Sequence, residues 1–280
     1  MKINIANIGP KDYFDRKSDI IYGLFHALNS IGHETSIIQN QLAKGLNLII
    51  GSDVLAGDES AVQQLISLNT DYVIYEVENF TGSTVNYYKN FKLENYKRLL
   101  RNAKFICTPY LHNVRPLVNV VGEPKVQYAK WGFHECMVNN NIERKKSFHH
   151  MALFFGLLKG ERIEKVNKLQ DVFSDKVKII DSSFPFTIRD YCVSQSKVGL
   201  SLSYGITDDF VNPFRLYHMA ANGMPILSDH IKDQDGYLHL CENSSFNMLI
   251  ERIQEDAFNI DNVHDRCRTH YLSDNLREIF

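Results

Sequence analysis

The sequence predicts an α/β protein made of two Rossmann-like domains, and three observations support this. Strand and helix patterns alternate along the whole of the 280 residues. Many strand segments are continuously apolar, which is typical of parallel strands covered by helices on both faces. The alternation is interrupted once, by the polar stretch NNNIERKKSFHH at 139–150, and then begins again.

These observations set the expected boundaries. We expect a first domain over 1–138, a linker over 139–150 and a second domain over 151–261. A helical segment, 262–280, follows and is expected to cross back to the first domain. In sheets of this kind, ligands bind at the carboxyl ends of the strands, so the crevice between the two halves is the expected site.

In the first half, apolar runs predict strands and amphipathic periodicity predicts helices. The predicted strands are 2–8, 35–39, 47–51, 71–78, 104–108 and 125–129. The predicted helices are 18–34, 58–68, 86–103 and a segment around 113–121. Ser18 is the expected N-cap of the first helix and Gly32 its stop.

The second half repeats the pattern. The predicted strands are 151–156, 176–181, 197–204 and 224–229. The predicted helices are 161–173, 186–196, 213–223 and 244–256.

Composition narrows the class of protein. The chain is 44% apolar and 23% charged, with a formal net charge of −2, which argues against a protein that coats nucleic acid. Its five cysteines are an odd number without a CxxC pair, which favours reduced thiols in the cytoplasm. No signal region opens the sequence and no apolar run approaches the ~20 residues of a membrane span. We expect a cytoplasmic protein, with peripheral contact at the inner membrane face left open.

Familiar catalytic and cofactor motifs are absent from the sequence. It contains no GxGxxG, GxxxxGK[ST], GxSxG or HExxH. The acid pair in DQD (233–235) matches a short pattern used to hold a metal–diphosphate, but two acids one apart recur by chance in many chains. The histidines at 149–150 have no matching ligand set and are better explained as surface residues. We expect no metal site.

The stretch FFGLLKGER (154–162) passes from a strand to a helix through Gly156 and Gly160. Backbone N–H groups at a helix start, with Lys159 and Arg162 beside them, suit a phosphate. An ordinary turn with surface cations is equally compatible with the residues.

A second stretch, SYGITDDFVNPFRL (203–216), follows the third strand of this half. Pro213 suits the first turn of a helix and Asn212 its cap. Arg215 then lies where the helix dipole disfavours a cation, so an anionic ligand would explain it. The alternative is an ion pair with Asp208 or Asp209.

The two stretches of the second half resemble segments of a known family of enzymes. NPFRLYHMAANGMPILSD resembles the donor-binding segment of two-domain (GT-B) glycosyltransferases, especially the spore-maturation CgeB-like group and short polysaccharide-biosynthesis enzymes. Arg215 falls on the arginine of that pattern and Gly223 on its glycine, whereas His218 stands where the family usually has glutamate. FFGLLKGER is similar to their strand–turn, and VIYEVENF (73–80) places Glu78 on an acid of the first domain.

The resemblance implies a metal-independent glycosyltransferase with its active site in the cleft between the domains and a UDP- or GDP-type sugar donor. The acceptor would be a glycan, a lipid-linked saccharide or a surface polysaccharide. Cations and helix N-termini would neutralise the leaving diphosphate. The implied donor-binding residues are Gly156, Lys159, Arg162, Tyr204, Asn212, Phe214, Arg215 and His218.

An inverting enzyme also needs a base to deprotonate the acceptor hydroxyl. Glu78 is the first candidate, and Asp15, with Asp12, in the predicted loop after the first strand, is the second. A sheet-edge ion pair would equally explain Glu78, and helix capping would explain Asp15. Two other functions stay open: a phage-type DNA glucosyltransferase, and a non-catalytic nucleotide-sugar-binding subunit, which the histidine at 218 permits.

Overall fold

The structure, a computed structural model, describes residues 1–68, 70–85, 92–140, 142, 148–180, 186–205, 210–230, 232–257 and 262–280, without the side chains of 11–13 and 186. Its architecture is α/β, with two parallel sheets, which confirms the predicted fold class. The chain forms two compact units. The first is Met1–Trp131 with Leu272–Phe280, and the second is Gly132–Tyr271.

The strands of the described residues are numbered in chain order. They are β1 (Lys2–Asn7), β2 (Glu34–Gln39), β3 (Leu46–Ile50), β4 (Tyr72–Tyr75), β5 (Ile106–Thr108), β6 (Val126–Tyr128), β7 (His150–Phe155), β8 (Val177–Ile180), β9 (Ser196–Ser201), β10 (Ile226–Ser228) and β11 (Glu242–Asn243).

The helices follow the same order. They are α1 (Lys11–Ser30), α2 (Ser52–Ala56), α3 (Glu59–Ser67), α4 (Leu93–Asn102), α5 (Leu111–Val121), α6 (Glu161–Phe173), α7 (Phe186–Gln195), α8 (Pro213–Ala221), α9 (Phe246–Glu255), α10 (Val263–Cys267) and α11 (Leu272–Arg277).

The first unit contains a six-stranded parallel sheet in the order β2-β1-β3-β4-β5-β6. The interior strands β3 and β4 are buried along their whole length, as is typical of parallel strands covered by helices on both faces. Ala6, Ile49, Ile74 and Ile106, from four neighbouring strands, share one core with side chains of α2 to α5.

The second unit contains a five-stranded parallel sheet in the order β11-β10-β9-β7-β8. Its core joins Ala152, Phe154, Val198 and Leu200 of the central strands to apolar residues of α6 and α9.

Both sheets use the same strand order at their centre. The first strand of each unit lies between the second and the third strand of that unit. The direction of the helical crossovers therefore reverses beside β1 in the first sheet and beside β7 in the second. Ligands of such sheets bind at the carboxyl ends of the strands at this switch point.

The start of α1 corrects the sequence prediction. The helix begins at Lys11, directly after Pro10, and not at Ser18. Ser18 is buried inside the helix and its hydroxyl donates to the carbonyl of Asp15 at 2.9 Å instead of capping. Asp12 and Asp15 accordingly lie in the helix and not in a loop. The charged segment before Ser18 lacks the apolar periodicity that marked the rest of the helix, although its residues are compatible with helix.

Smaller differences from the prediction occur elsewhere in the chain. The end of the chain forms the two short helices α10 and α11 in place of one continuous helix. The short helix α2 was not predicted. Of the predicted helix 86–103, residues 86–91 lie outside the described part, and α4 covers 93–102.

In the described residues, no helix is both long enough and apolar enough to cross a membrane.

Candidate functional site

The carboxyl end of β7 is shaped by two glycines. Gly156 follows the strand with φ 147° and Gly160 precedes α6 with φ 59°. A Cβ added to Gly156 would stand 2.8 Å from Cζ of Arg215, and one added to Gly160 would stand 2.9 Å from the carbonyl oxygen of Tyr204. The predicted strand–turn–helix is confirmed, and glycine is needed at both positions for conformation and for space.

Arg215 lies against this turn. Asn212 caps α8 by accepting the N–H of Arg215 at 3.1 Å, and Pro213 occupies the first turn, as the sequence predicted. The Arg215 side chain is largely buried, and its Cζ lies 5.2 Å and 5.7 Å from the ring centroids of Phe154 and Phe155. The guanidinium group is therefore held beside the Gly156 backbone, at the switch point. The alternative partners Asp208 and Asp209 lie outside the described residues.

Arg162 is buried and bound to the backbone. Its Nε donates to the carbonyl of Leu202 at 2.9 Å and its Nη1 to that of Leu157 at 2.9 Å. Its Cζ lies 3.6 Å from the centroid of the Tyr204 ring. Arg162 thus ties the loop after β7 to the end of β9, which is an anchoring role, and its predicted contact with phosphate stays a prediction.

Three other predicted donor residues surround the turn. Lys159 is exposed in the loop between β7 and α6. Tyr204 stacks on Phe210 at 5.8 Å, and its carbonyl accepts the N–H of Glu161 at the start of α6. Phe214 is buried in the first turn of α8. The structure therefore brings the predicted donor residues of this unit to one end of its sheet.

His218 forms a buried pair that the sequence did not indicate. Its Nε2 lies 3.0 Å from Oδ1 of Asp190 on α7, and its ring meets Phe155 edge-on at 6.0 Å. Asn139 donates to the other oxygen of Asp190 at 2.9 Å. Burial raises the pKa of Asp190, but the contacts with His218 and Asn139 outweigh it and leave the pKa below its usual value. Gly223, with φ 69°, ends the helix as predicted.

A second polar cluster lies at the ends of β9 and β10 and was also missed. Nζ of Lys165 lies 2.6 Å from Oδ2 of Asp229, whose Oδ1 accepts the N–H of Ser203 at 2.7 Å. Beside it, the hydroxyl of Ser201 lies 3.1 Å from Nε2 of His230. The runs Ser-Leu-Ser and Ser-Asp-His, polar residues directly at the ends of buried strands, were the available signal.

In the first unit, Glu78 lies in the segment after β4 and forms an ion pair with Lys17 of α1. Its backbone N–H donates to Oε1 of Glu76 at 2.9 Å, and its carbonyl accepts from the Asn113 amide at 2.8 Å. The ion pair that offered an alternative explanation of Glu78 is present. Asp15 is half-buried, two residues before Lys17 on α1.

Glu76 is a buried carboxyl group that the sequence analysis did not single out. It accepts a hydrogen bond from the Ser52 hydroxyl at 2.8 Å and one from the Tyr96 hydroxyl. Burial, with a smaller contribution from Asp53, raises the pKa of Glu76 to about 7. This carboxyl group therefore changes its charge near neutral pH, unlike an ordinary glutamate.

Among the residues that the structure describes, no group of three or more His, Cys, Asp or Glu side chains is arranged to hold a metal ion.

No protein-family model matches the chain, and no curated protein matches it significantly. Solved structures do. One is a Listeria monocytogenes protein assigned as a UDP-N-acetylglucosamine 2-epimerase, with 11% identity, a TM-score of 0.57, and 99% of this chain and 94% of that chain covered. Another is an α-glucosyltransferase in complex with UDP and a mismatched DNA 13-mer, with 12% identity, a TM-score of 0.55, and 99% and 94% covered.

A third similar structure is the lipopolysaccharide outer core galactosyltransferase WaaB in its apo form, with 9% identity, a TM-score of 0.53, and 99% and 98% of the two chains covered. At these identities the similarity is one of fold. Since it extends over almost the whole of each chain and matches two parallel-sheet units, the chain has the GT-B fold.

Proposed function

We propose that the protein is a metal-independent glycosyltransferase that takes a sugar from a UDP- or GDP-type donor. The observation that carries the proposal is the position of Arg215. Its guanidinium group lies against the Gly156 backbone at the switch point of the second sheet, where α/β folds of this kind bind ligands. A diphosphate is well matched to such a place, where a cation lies near the start of a helix and a glycine follows the end of the strand.

In this proposal the donor lies on the second unit. Arg215 and the exposed Lys159 neutralise the charge that develops on the leaving diphosphate, together with the positive ends of the α6 and α8 helix dipoles. Arg162 supports the same place indirectly, by holding the loop after β7 to the end of β9. One protein with the same fold is described in complex with UDP, which supports a donor of this class.

The first unit supplies the acceptor side. Glu78 is the proposed base for an inverting reaction, and its contacts with Lys17, Glu76 and Asn113 fix its position. In this proposal the acceptor hydroxyl gives its proton to the Glu78 carboxylate, one oxygen of which, Oε1, is paired with Lys17. Asp15, on α1, is the second candidate. From the resemblance of the motifs, we infer an enzyme of the CgeB-like and short polysaccharide-biosynthesis group. Its proposed acceptor is a glycan, a lipid-linked saccharide or a surface polysaccharide.

A nucleotide-sugar-binding protein without transfer activity is the second candidate function. The carboxylate of Glu78 is occupied by Lys17, and a histidine paired with Asp190 stands where the resembling enzymes carry glutamate. A protein of this kind binds the nucleotide sugar but does not release the nucleoside diphosphate.

The test is a panel of UDP, GDP, CMP, dTDP and their sugars, read first by thermal shift and then by release of the free nucleotide. We expect one nucleotide class to raise the melting temperature and the matching sugar to be slowly hydrolysed. Glu78→Gln should retain the shift and lose at least tenfold in turnover, whereas Glu59→Gln, an exposed carboxylate of the same unit, should lose neither.

The outcomes separate the candidates. Binding without turnover, in the wild type and with several saccharide acceptors, would favour the non-catalytic protein. Conversion of the sugar without release of nucleotide would indicate an epimerase. Transfer to duplex DNA would indicate a DNA glucosyltransferase, for which the net charge of −2 provides little attraction. No thermal shift with any nucleotide at millimolar concentration would contradict the proposal.

A further inference from the structure

Two helices of the second unit begin beside the end of β7. This strand lies between β8 and β9 in the sheet, α7 follows β8, and α8 follows β9. Each helix carries an arginine near its start: Arg189 is the fourth residue of α7, and Arg215 is the third residue of α8. No motif of the sequence singled out Arg189.

Both arginines lie at the same aromatic ring. Cζ of Arg189 is 5.4 Å from the centroid of the Phe155 ring, and Cζ of Arg215 is 5.7 Å from it. The His218 ring meets the same phenyl ring at 6.0 Å. Phe155 is the last residue of β7, so these three basic side chains lie where the strand passes into the Gly156 turn.

The arrangement is fixed by the neighbour of Arg189. Asp190 pairs with His218 of α8 and also accepts from Asn139, so the first turns of α7 are held to α8. Arg189 therefore approaches Phe155 on a positioned backbone rather than as a free surface side chain.

The described side chains at this ring carry two guanidinium charges, those of Arg189 and Arg215, and one carboxylate, Asp190, which is itself paired with His218. A cation near the start of a helix is opposed by the helix dipole, and two guanidinium groups around one largely buried ring repel each other. A ligand with more than one negative charge reverses both effects. The planar, multi-donor geometry of guanidinium is suited to phosphate oxygens in particular.

We propose that Arg189 is a second phosphate-binding arginine, which contacts the donor diphosphate together with Arg215. The inference rests on the proposed function and adds Arg189 to the residues proposed to bind the diphosphate. Arg162, which the sequence favoured, is engaged with the carbonyls of Leu202 and Leu157. Arg189 makes the site selective for the diphosphate portion of the ligand rather than for its base.

The test is calorimetric titration of UDP, GDP, uridine and guanosine into the wild type and into Arg189→Gln. For the nucleoside diphosphate that binds the wild type, we expect Arg189→Gln to raise the Kd at least tenfold. The Kd of the corresponding nucleoside should change less than twofold, because it has no phosphate. Lys176→Gln removes an exposed cation of the same unit and should leave both values unchanged.

Each possible result has a separate meaning. Wild-type affinity of Arg189→Gln for the diphosphate would overturn the inference while leaving the proposed function intact. Equal loss for nucleoside and diphosphate would also overturn it, since a merely structural role predicts that pattern. If Arg189→Gln does not fold, Arg189→Lys decides: a loss of threefold or more for the diphosphate supports the inference, and unchanged affinity contradicts it. Failure of the wild type to bind any nucleoside diphosphate would instead remove the proposed function.

Discussion

At the scale of single residues, Gly156 and Arg215 depend on each other. Any side chain at position 156 would meet the Arg215 guanidinium, because an added Cβ stands 2.8 Å from Cζ. The positive φ of Gly156 adds backbone strain for other residues. The conformation of the turn after β7 and the position of the Arg215 guanidinium group therefore depend on each other.

This pairing predicts that Gly156→Ala costs about 1–3 kcal/mol of unfolding free energy and also abolishes most nucleotide binding. Gly32→Ala is the matched control, since Gly32 has φ +93° but nothing within 4 Å of an added Cβ. It should lose stability through backbone strain alone and retain full affinity. Urea unfolding and calorimetry measure the two quantities, and retained nucleotide affinity in Gly156→Ala would contradict the account.

Glu76 makes a second prediction at this scale. Its pKa rises from 4.5 to about 7 on folding, so the folded state favours the protonated form. The resulting stability is fully present below about pH 4.5 and is lost as the pH rises through about 7. Relative to Glu76→Gln, the wild type should therefore lose up to about 3 kcal/mol of unfolding free energy between pH 4.5 and 8. Urea unfolding at several pH values would refute this if the two proteins showed the same pH dependence.

At the scale of elements, α8 presents Arg215 because its first turn is capped. Asn212 accepts the N–H of Arg215 itself, so loss of the cap loosens the turn that carries the arginine. Ser245 caps α9 in the same unit by accepting the N–H of Met248. The two caps are chemically similar but only one lies at the proposed site.

We therefore expect Asn212→Ala and Ser245→Ala each to lose about 1 kcal/mol of unfolding free energy. Only Asn212→Ala should also weaken nucleotide binding, by about threefold to tenfold. The same denaturation and titration experiments apply to both variants. Equal nucleotide affinity in the two variants would show that the α8 cap does not position Arg215.

Element boundaries show what the sequence could and could not provide. α6 and the cap of α8 were predicted correctly, because periodicity, glycine and the Asn-Pro pair give local signals. The start of α1 was wrong, since charged residues without apolar periodicity do not mark a helix whose early turns lack a regular buried face. Side-chain partners were harder still. The engagement of Arg162 with Leu202, and of His218 with Asp190, depends on the packing of distant segments, which no local pattern contains.

At the scale of the whole molecule, two units repeat the same strand order around β1 and β7. The alternation of apolar strands with helices was sufficient to predict two parallel α/β units, because that pattern permits few other folds. The sequence did not predict which side chains lie together at each switch point. Arg189 and Arg215 come to the same ring, Phe155, only after β8 and β9 are placed on either side of β7.

The central claim is that the second unit binds a nucleoside diphosphate at Arg215. The most direct measurement is calorimetric titration of UDP and GDP into the wild type, Arg215→Ala and the control Arg277→Ala, which alters an exposed arginine of the first unit. We predict that one diphosphate binds the wild type and Arg277→Ala equally, and Arg215→Ala at least tenfold more weakly with its fold intact by circular dichroism. Equal binding by all three proteins would contradict the placement of the donor at this helix, and no binding by the wild type would contradict the proposed function.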